Sequence, residues 1–130
     1  MQRYRGGCHC GRIAFEVQGE LRGILVCNCS ICTKKGYLHW IVPCDCVRLL
    51  TPAESWSTYR FQTRAAAHRF CPVCGVAPFY VPRSDPDCID VNVRCLEGVD
   101  LDALDVERFD GRNWERAMQD RRAARRPAER

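Results

Sequence analysis

Seven cysteines fall in short clusters: Cys8-His9-Cys10, Cys27-Asn28-Cys29-Ser30-Ile31-Cys32 and Cys71-Pro72-Val73-Cys74-Gly75. Cysteines two or three residues apart pair poorly as disulfides and readily share one tetrahedral ion, so the spacing predicts metal binding. Cys8, Cys10, Cys71 and Cys74 make one natural four-thiolate site, and Cys27, Cys29 and Cys32 are left over. Structural zinc takes four protein ligands, whereas reactive zinc keeps a coordination position for water or substrate. The unmatched triplet therefore points to an enzyme as well as to a metal-stapled fold. Cys44, Cys46, Cys88 and Cys95 remain as donors that could close the second site. Cys44-Asp45-Cys46 has a ligand-like spacing, but two thiols in a turn after Pro43 is the plainer reading.

A three-thiolate zinc with an open position can hold a substrate thiol as its nucleophilic thiolate. It can also polarise an aldehyde oxygen, but three thiolates leave the ion electron-rich and a weak Lewis acid. Thiol addition to an aldehyde is intrinsically easy, so bringing the partners together is the main demand on the protein.

These motifs resemble a known family. Gly7-Cys8-His9-Cys10-Gly11, followed by Ile13 and Phe15, is similar to the opening motif of the glutathione-dependent formaldehyde-activating (GFA) enzymes and their centromere protein V relatives. Cys27–Cys32 resembles the second motif of that family, Phe70–Gly75 the third, and Val91-Asn92-Val93-Arg94-Cys95-Leu96 a late strand. The resemblance implies an Mss4-like fold of packed antiparallel sheets with two zinc ions. Cys8, Cys10, Cys71 and Cys74 would hold the structural ion, and Cys27, Cys29 and Cys32 the catalytic one. The implied activity is that of a carbon–sulfur lyase, joining formaldehyde and glutathione as S-(hydroxymethyl)glutathione. Its partners would be a glutathione-like thiol and an aldehyde. Asn28 departs from the pattern, because the second motif usually has histidine there, and an amide cannot shuttle a proton near neutral pH.

Two other classes compete with the lyase. One is a noncatalytic zinc-binding thiol carrier or interaction module that keeps both ions. The other is a redox enzyme like methionine sulfoxide reductase B, using Cys95 with Cys88 as resolving partner. A buried small hydrophobe is the plainer reading of Cys95. His39, beside Trp40, is an ordinary strand histidine unless its strand faces the triplet, which would make it a proton shuttle. His9 is expected to point outward, and His68 to sit behind the third cluster or at the surface. Asp85, Asp87 and Asp100–Asp105 read as solvated turns.

The formal charge is +4, and residues 112–130, with seven arginines against Glu115, Asp120 and Glu129, account for all of it. Metal-bound thiolates would lower the total further, so no broad footprint for nucleic acid exists. No apolar run reaches membrane-spanning length. The N-terminus has no apolar stretch behind its charges, so the cytoplasm, which keeps thiols reduced, is the expected location.

The clusters need strands to position them, and the apolar pattern supplies these. Arg12–Val17 alternates polar with apolar, predicting a strand with one buried face. Ile24–Val26, Tyr37–Val42, Ala77–Val81 and Cys88–Val93 are β-branched or aromatic, and Thr58–Gln62 with Ala67–Phe70 reads as a hairpin. Helix signals are few: Ser30 as cap of a turn over Ile31–Lys35, a short turn at Asp100–Leu104, and Glu115–Met118. The expectation is a mainly β, zinc-binding domain over residues 1–111 and an arginine-rich, flexible tail over 112–130.

Overall fold

The structure is a computed structural model that describes residues 2–61 and 64–124. It is mainly β, with two sheets and few short helices. The smaller sheet contains β1 (Gln2–Gly7), β2 (Ala14–Gly19) and β5 (Val47–Leu49), with β2 central. The larger sheet has seven strands: β3 (Ile24–Cys27), β4 (His39–Pro43), β6 (Ser57–Tyr59), β7 (Ala67–Phe70), β8 (Phe79–Val81), β9 (Cys88–Asn92) and β10 (Val106–Phe109). Their spatial order is β10-β3-β4-β9-β8-β7-β6, and among the described residues only the β10–β3 pairing is parallel.

The core lies between the sheets. Ile13, Phe15 and Val17, the apolar half of the predicted alternation, are fully buried. They belong to one cluster with Trp40, Val42, Phe79 and Val91 of the larger sheet. Phe15 meets Phe79 edge-on with ring centroids 5.7 Å apart, a preferred aromatic geometry. The predicted hairpin is present, with Ser57 opposite Phe70 and Tyr59 opposite His68.

Strands β1, β5 and β10 lie outside the elements expected from sequence. Gln2–Gly7 and Val106–Phe109 are largely exposed and polar. They are strands because a neighbour supplies a ladder, which a local pattern does not record. Helix α1 (Ser30–Lys35) begins one residue earlier than expected, and its cap is Cys29, whose Sγ accepts from the Cys32 N–H at 3.4 Å. Cys29 has the extended backbone that a cap requires, so sulfur takes the role expected of the Ser30 hydroxyl. Asp100 caps the expected short turn at Leu101–Ala103 through its carboxylate.

The helical signal at Glu115–Met118 extends in α2 (Trp114–Ala124). Met118 is buried, and the Arg83 guanidinium lies 3.8 Å from the Trp114 ring centroid, so this helix is docked against the domain. The remainder of the arginine-rich run, residues 125–130, lies outside the described residues. No helix among the described residues is long and apolar enough to cross a membrane.

Candidate metal centres and the cleft beside them

Both predicted cysteine sets come together in space. The sulfurs of Cys8, Cys10, Cys71 and Cys74 lie within 4.8 Å of one another, as do those of Cys27, Cys29 and Cys32. A tetrahedral zinc with bonds near 2.3 Å has ligand sulfurs roughly 3.8 Å apart. The Cys8–Cys10 and Cys10–Cys71 separations are 3.7 and 3.6 Å. The first set therefore fits a tetrahedral ion.

The first set joins the β1–β2 turn of one sheet to the β7–β8 connection of the other. Backbone N–H groups point at its sulfurs: Ile13 donates to Cys8 at 3.2 Å, and Val73 and Cys74 both donate to Cys71 at 3.4 Å. Such donors favour thiolate over thiol. Hydrogen bonds from the backbone at Val76 and Cys10 hold the Cys74 thiol down to about 6. Gly11 and Gly75, which follow Cys10 and Cys74, have φ of +85° and +79°. The tight knuckles thus need the left-handed backbone that glycine adopts without strain.

The second set stands at the junction of β3 and α1: Cys27 ends the strand, Cys29 caps the helix and Cys32 is buried within it. Hydrogen bonds from Cys27 and Cys32 pull the Cys29 thiol down to about 2, while the same contacts and burial push Cys32 far up. The three sulfurs thus behave as one anionic unit, ready to exchange protons for a cation. No fourth His, Cys, Asp or Glu atom joins them among the described residues. Cys44 and Cys46 occupy a short turn after Pro43, and Cys88 opens β9 with Pro43 as its register partner. Cys95 lies in the turn after that strand.

The three sulfurs open on a cleft of about 380 Å³. Leu25 and His39 stand on its sheet floor, with Arg112, Trp114 and Glu115 on the wall formed by the turn before α2 and the helix's first residues. Gly111 covers one sulfur: a Cβ there would lie 2.4 Å from the Cys27 Sγ and 2.9 Å from the Cys29 Cβ. This glycine is required by space. Asn28 fixes the same segment. Its Nδ2 donates to Asp110 Oδ1 at 2.9 Å, and its Oδ1 accepts from the Arg112 N–H at 3.0 Å. Its carbonyl accepts from Arg112 Nε at 2.9 Å. The Asn28 amide is therefore occupied in tethering residues 110–112 to the Cys27–Cys32 loop.

The remaining histidines separate clearly. His9, between Cys8 and Cys10, is exposed, as expected of a residue pointing outward. His68 is buried in a ring stack, 5.5 Å from Phe61 and 4.8 Å from Tyr80, and burial holds it down to about 4. His39 is buried on the cleft floor against Asp90. Asp87, Asp100, Asp102 and Asp105 are exposed, as solvated turns require. Gly111, Asp110, Arg112 and Asp90 were not singled out from sequence. Only Asp90 carries a local signal, a carboxylate inside the β-branched run Ile89–Val93.

Fold and clusters define a mainly β protein, consistent with the Mss4-like fold, in which two cysteine sets could each hold a metal ion. The glutathione-dependent formaldehyde-activating enzyme family matches residues 3–109, and the chain belongs to that family. A crystal structure of a Rhodobacter sphaeroides protein is similar at 37% identity, with a TM-score of 0.69 over 75% of this chain and 92% of that one.

Proposed function

We propose that this protein is a zinc-dependent carbon–sulfur lyase that forms or breaks an adduct of a glutathione-like thiol with formaldehyde or a related aldehyde. The observation that carries the reading is the asymmetry of the two cysteine sets: four sulfurs close one site, and three open on a cleft. In this reading Cys8, Cys10, Cys71 and Cys74 hold a structural zinc, and Cys27, Cys29 and Cys32 a catalytic one. All-sulfur donor sets suit zinc. Bound at the triplet, zinc would supply an open coordination position that keeps a substrate thiol as thiolate. The chain's own part is to orient: the cleft brings thiol and aldehyde together, which is most of what this easy addition needs. The basic side chains Arg83 and Arg112 at the rim suit the carboxylates of a glutathione-like thiol. Eleven free thiols suit a reducing compartment such as the cytoplasm.

The redox alternative has less support. Burial pushes the Cys95 thiol up to about 11, away from the thiolate a nucleophile needs. Cys88 opens strand β9 and Cys95 lies in the turn beyond its far end, so a strand of roughly 13 Å at the usual rise per residue runs between them.

The test is exchange NMR of formaldehyde with glutathione, comparing two-zinc protein with Cys29→Ser. The reading expects faster adduct formation by the wild type and loss of that acceleration in the variant. A wild type with both ions and no acceleration would make the protein a zinc-binding thiol carrier or interaction module.

A further inference from the structure

Strand register places a row of functional side chains on one face of the larger sheet. Residues directly opposite each other in a ladder project to the same side, as do residues two apart on one strand. Leu25 pairs with His39, so His39 shares its face with Leu25 and with Cys27 two residues on. Ile41, two residues beyond His39, pairs with Asp90, which in turn pairs with Tyr80. His39 and Cys27 are diagonal neighbours across β3 and β4, roughly 7–8 Å apart between Cα atoms. Both line the cleft.

His39 and Asp90 form a buried pair. The imidazole Nδ1 lies 2.7 Å from Asp90 Oδ2, with the side chains 4% and 1% exposed. With Asp90 ionised the carboxylate can only accept, so in the neutral imidazole the proton belongs to Nδ1 and Nε2 carries a lone pair. Nε2 is buried and has no hydrogen-bond partner among the described residues. Buried polar atoms are almost always satisfied, so an unsatisfied one beside a cleft marks a place for a ligand atom. The pair is itself held in place. Tyr37 donates its hydroxyl to the Asp90 carbonyl at 2.7 Å, and the Tyr80 hydroxyl lies 3.3 Å from His39 Nδ1. The Tyr37 ring packs 4.6 Å from the imidazole.

We propose that His39, oriented by Asp90, is the proton-transfer group of the cleft: Nε2 takes the proton of the incoming thiol and returns it to the aldehyde oxygen. This rests on the lyase reading above. As the sulfur attacks, its electron pair forms the carbon–sulfur bond and the carbonyl π pair moves onto oxygen. The proton parked on Nε2 then goes to that oxygen, so atoms and charge balance without a further reactant. The transient imidazolium is stabilised by Asp90, the positioning residue. Cleavage runs through the same steps reversed. Asn28, whose amide cannot carry a proton and is committed to Asp110 and Arg112, leaves this task to His39.

The first experiment compares His39→Ala and His39→Gln with wild type by exchange NMR of formaldehyde and glutathione, each at two zinc ions per chain. General acid–base catalysis is commonly worth about 10²–10⁴-fold, and a loss near 10²-fold is expected here because the reaction is intrinsically easy. Added imidazole should restore part of the rate in His39→Ala, where the ring's space is vacated, and none in Cys29→Ser. A merely structural histidine would show no such rescue. The second experiment needs no turnover. Long-range ¹H–¹⁵N spectra of the wild type should show His39 protonated on Nδ1 and bare on Nε2, and Asp90→Asn should remove that preference. A wild type that accelerates the reaction and is equalled by His39→Ala, or a proton found on Nε2, would overturn the role of His39 and leave the lyase reading standing. A zinc-loaded wild type with no acceleration would end the lyase reading, and the role of His39 with it.

Discussion

Gly111→Ala is the sharpest test of how the second cysteine set is held. The added methyl would lie 2.4 Å from the Cys27 Sγ and 2.9 Å from the Cys29 Cβ. Ordinary contact between heavy atoms begins at about 3.5 Å, so roughly 1 Å of movement is forced. Cys27 ends a strand and is fixed further if it holds an ion, so residues 110–112 must move instead. They are tied to Asn28 by hydrogen bonds of 2.9, 3.0 and 2.9 Å. Displacement by 1 Å would break at least two of these. Overpacking costs about 1–3 kcal/mol, and each exposed hydrogen bond adds about 0.5 kcal/mol. A total of at least about 2 kcal/mol corresponds to a fall in Tm of roughly 6–10 °C or more for a chain of this size. Zinc at the triplet should also become easier to remove, which competition with a chromogenic chelator would read as one fast and one slow ion. Gly98→Ala is the control. It has φ of +73° with nothing within 4 Å, so it should cost about 1 kcal/mol and leave both ions held as in the wild type. Wild-type chelation kinetics and an unchanged Tm in Gly111→Ala would refute the packing argument.

Two further outcomes follow from the two sets and the buried stack. Structural zinc contributes about 10 kcal/mol, comparable to the whole stability of a small domain. Cys71→Ser should therefore yield no folded protein by circular dichroism, whereas Cys29→Ser should fold with one zinc by mass spectrometry; folded Cys71→Ser would contradict the assignment. His68, held down to about 4 by burial, with Lys35 and His39 adding to the effect and Cys29 opposing it, stays neutral in the fold while the unfolded chain takes up a proton below about 6.5. Stability should therefore fall as the pH drops through that window. His68→Phe, which keeps the stack on Phe61 and Tyr80, should gain about 1 kcal/mol on the wild type between pH 7 and pH 5 in urea titrations, after allowance for solvent screening. A difference that does not change with pH would count against it.

The cysteine sets were legible because metal ligands come as short local spacings, and only the pairing of Cys8/Cys10 with Cys71/Cys74 spans the fold. The central strands were legible for a related reason: Ile13, Phe15 and Val17 record their burial in the alternation itself. Strands β1 and β10 were not, because a largely exposed, polar edge leaves no such record. The same division runs through the cleft. Cys27, Cys29 and Cys32 announce themselves, while the other groups that line the cleft come from distant segments with ordinary local patterns. Gly111 looks like any turn glycine until the Cys27 sulfur lies against it.

His39 and Asp90 show what kind of information is missing. Each sits in a strand that was predicted, and each would be an unremarkable strand residue alone. Two register pairings, Leu25 with His39 and Ile41 with Asp90, turn them into a hydrogen-bonded pair on the face that carries Cys27. A shift of one residue in the β4 pairing would send His39 to the opposite face, away from the thiolates. The full burial of Trp40 and Val42 on that opposite face, against the β2 side chains, is what forbids the shift. The apolar core thus sets the register that brings imidazole, carboxylate and sulfur together, and the chemistry of the cleft depends on side chains that never touch it.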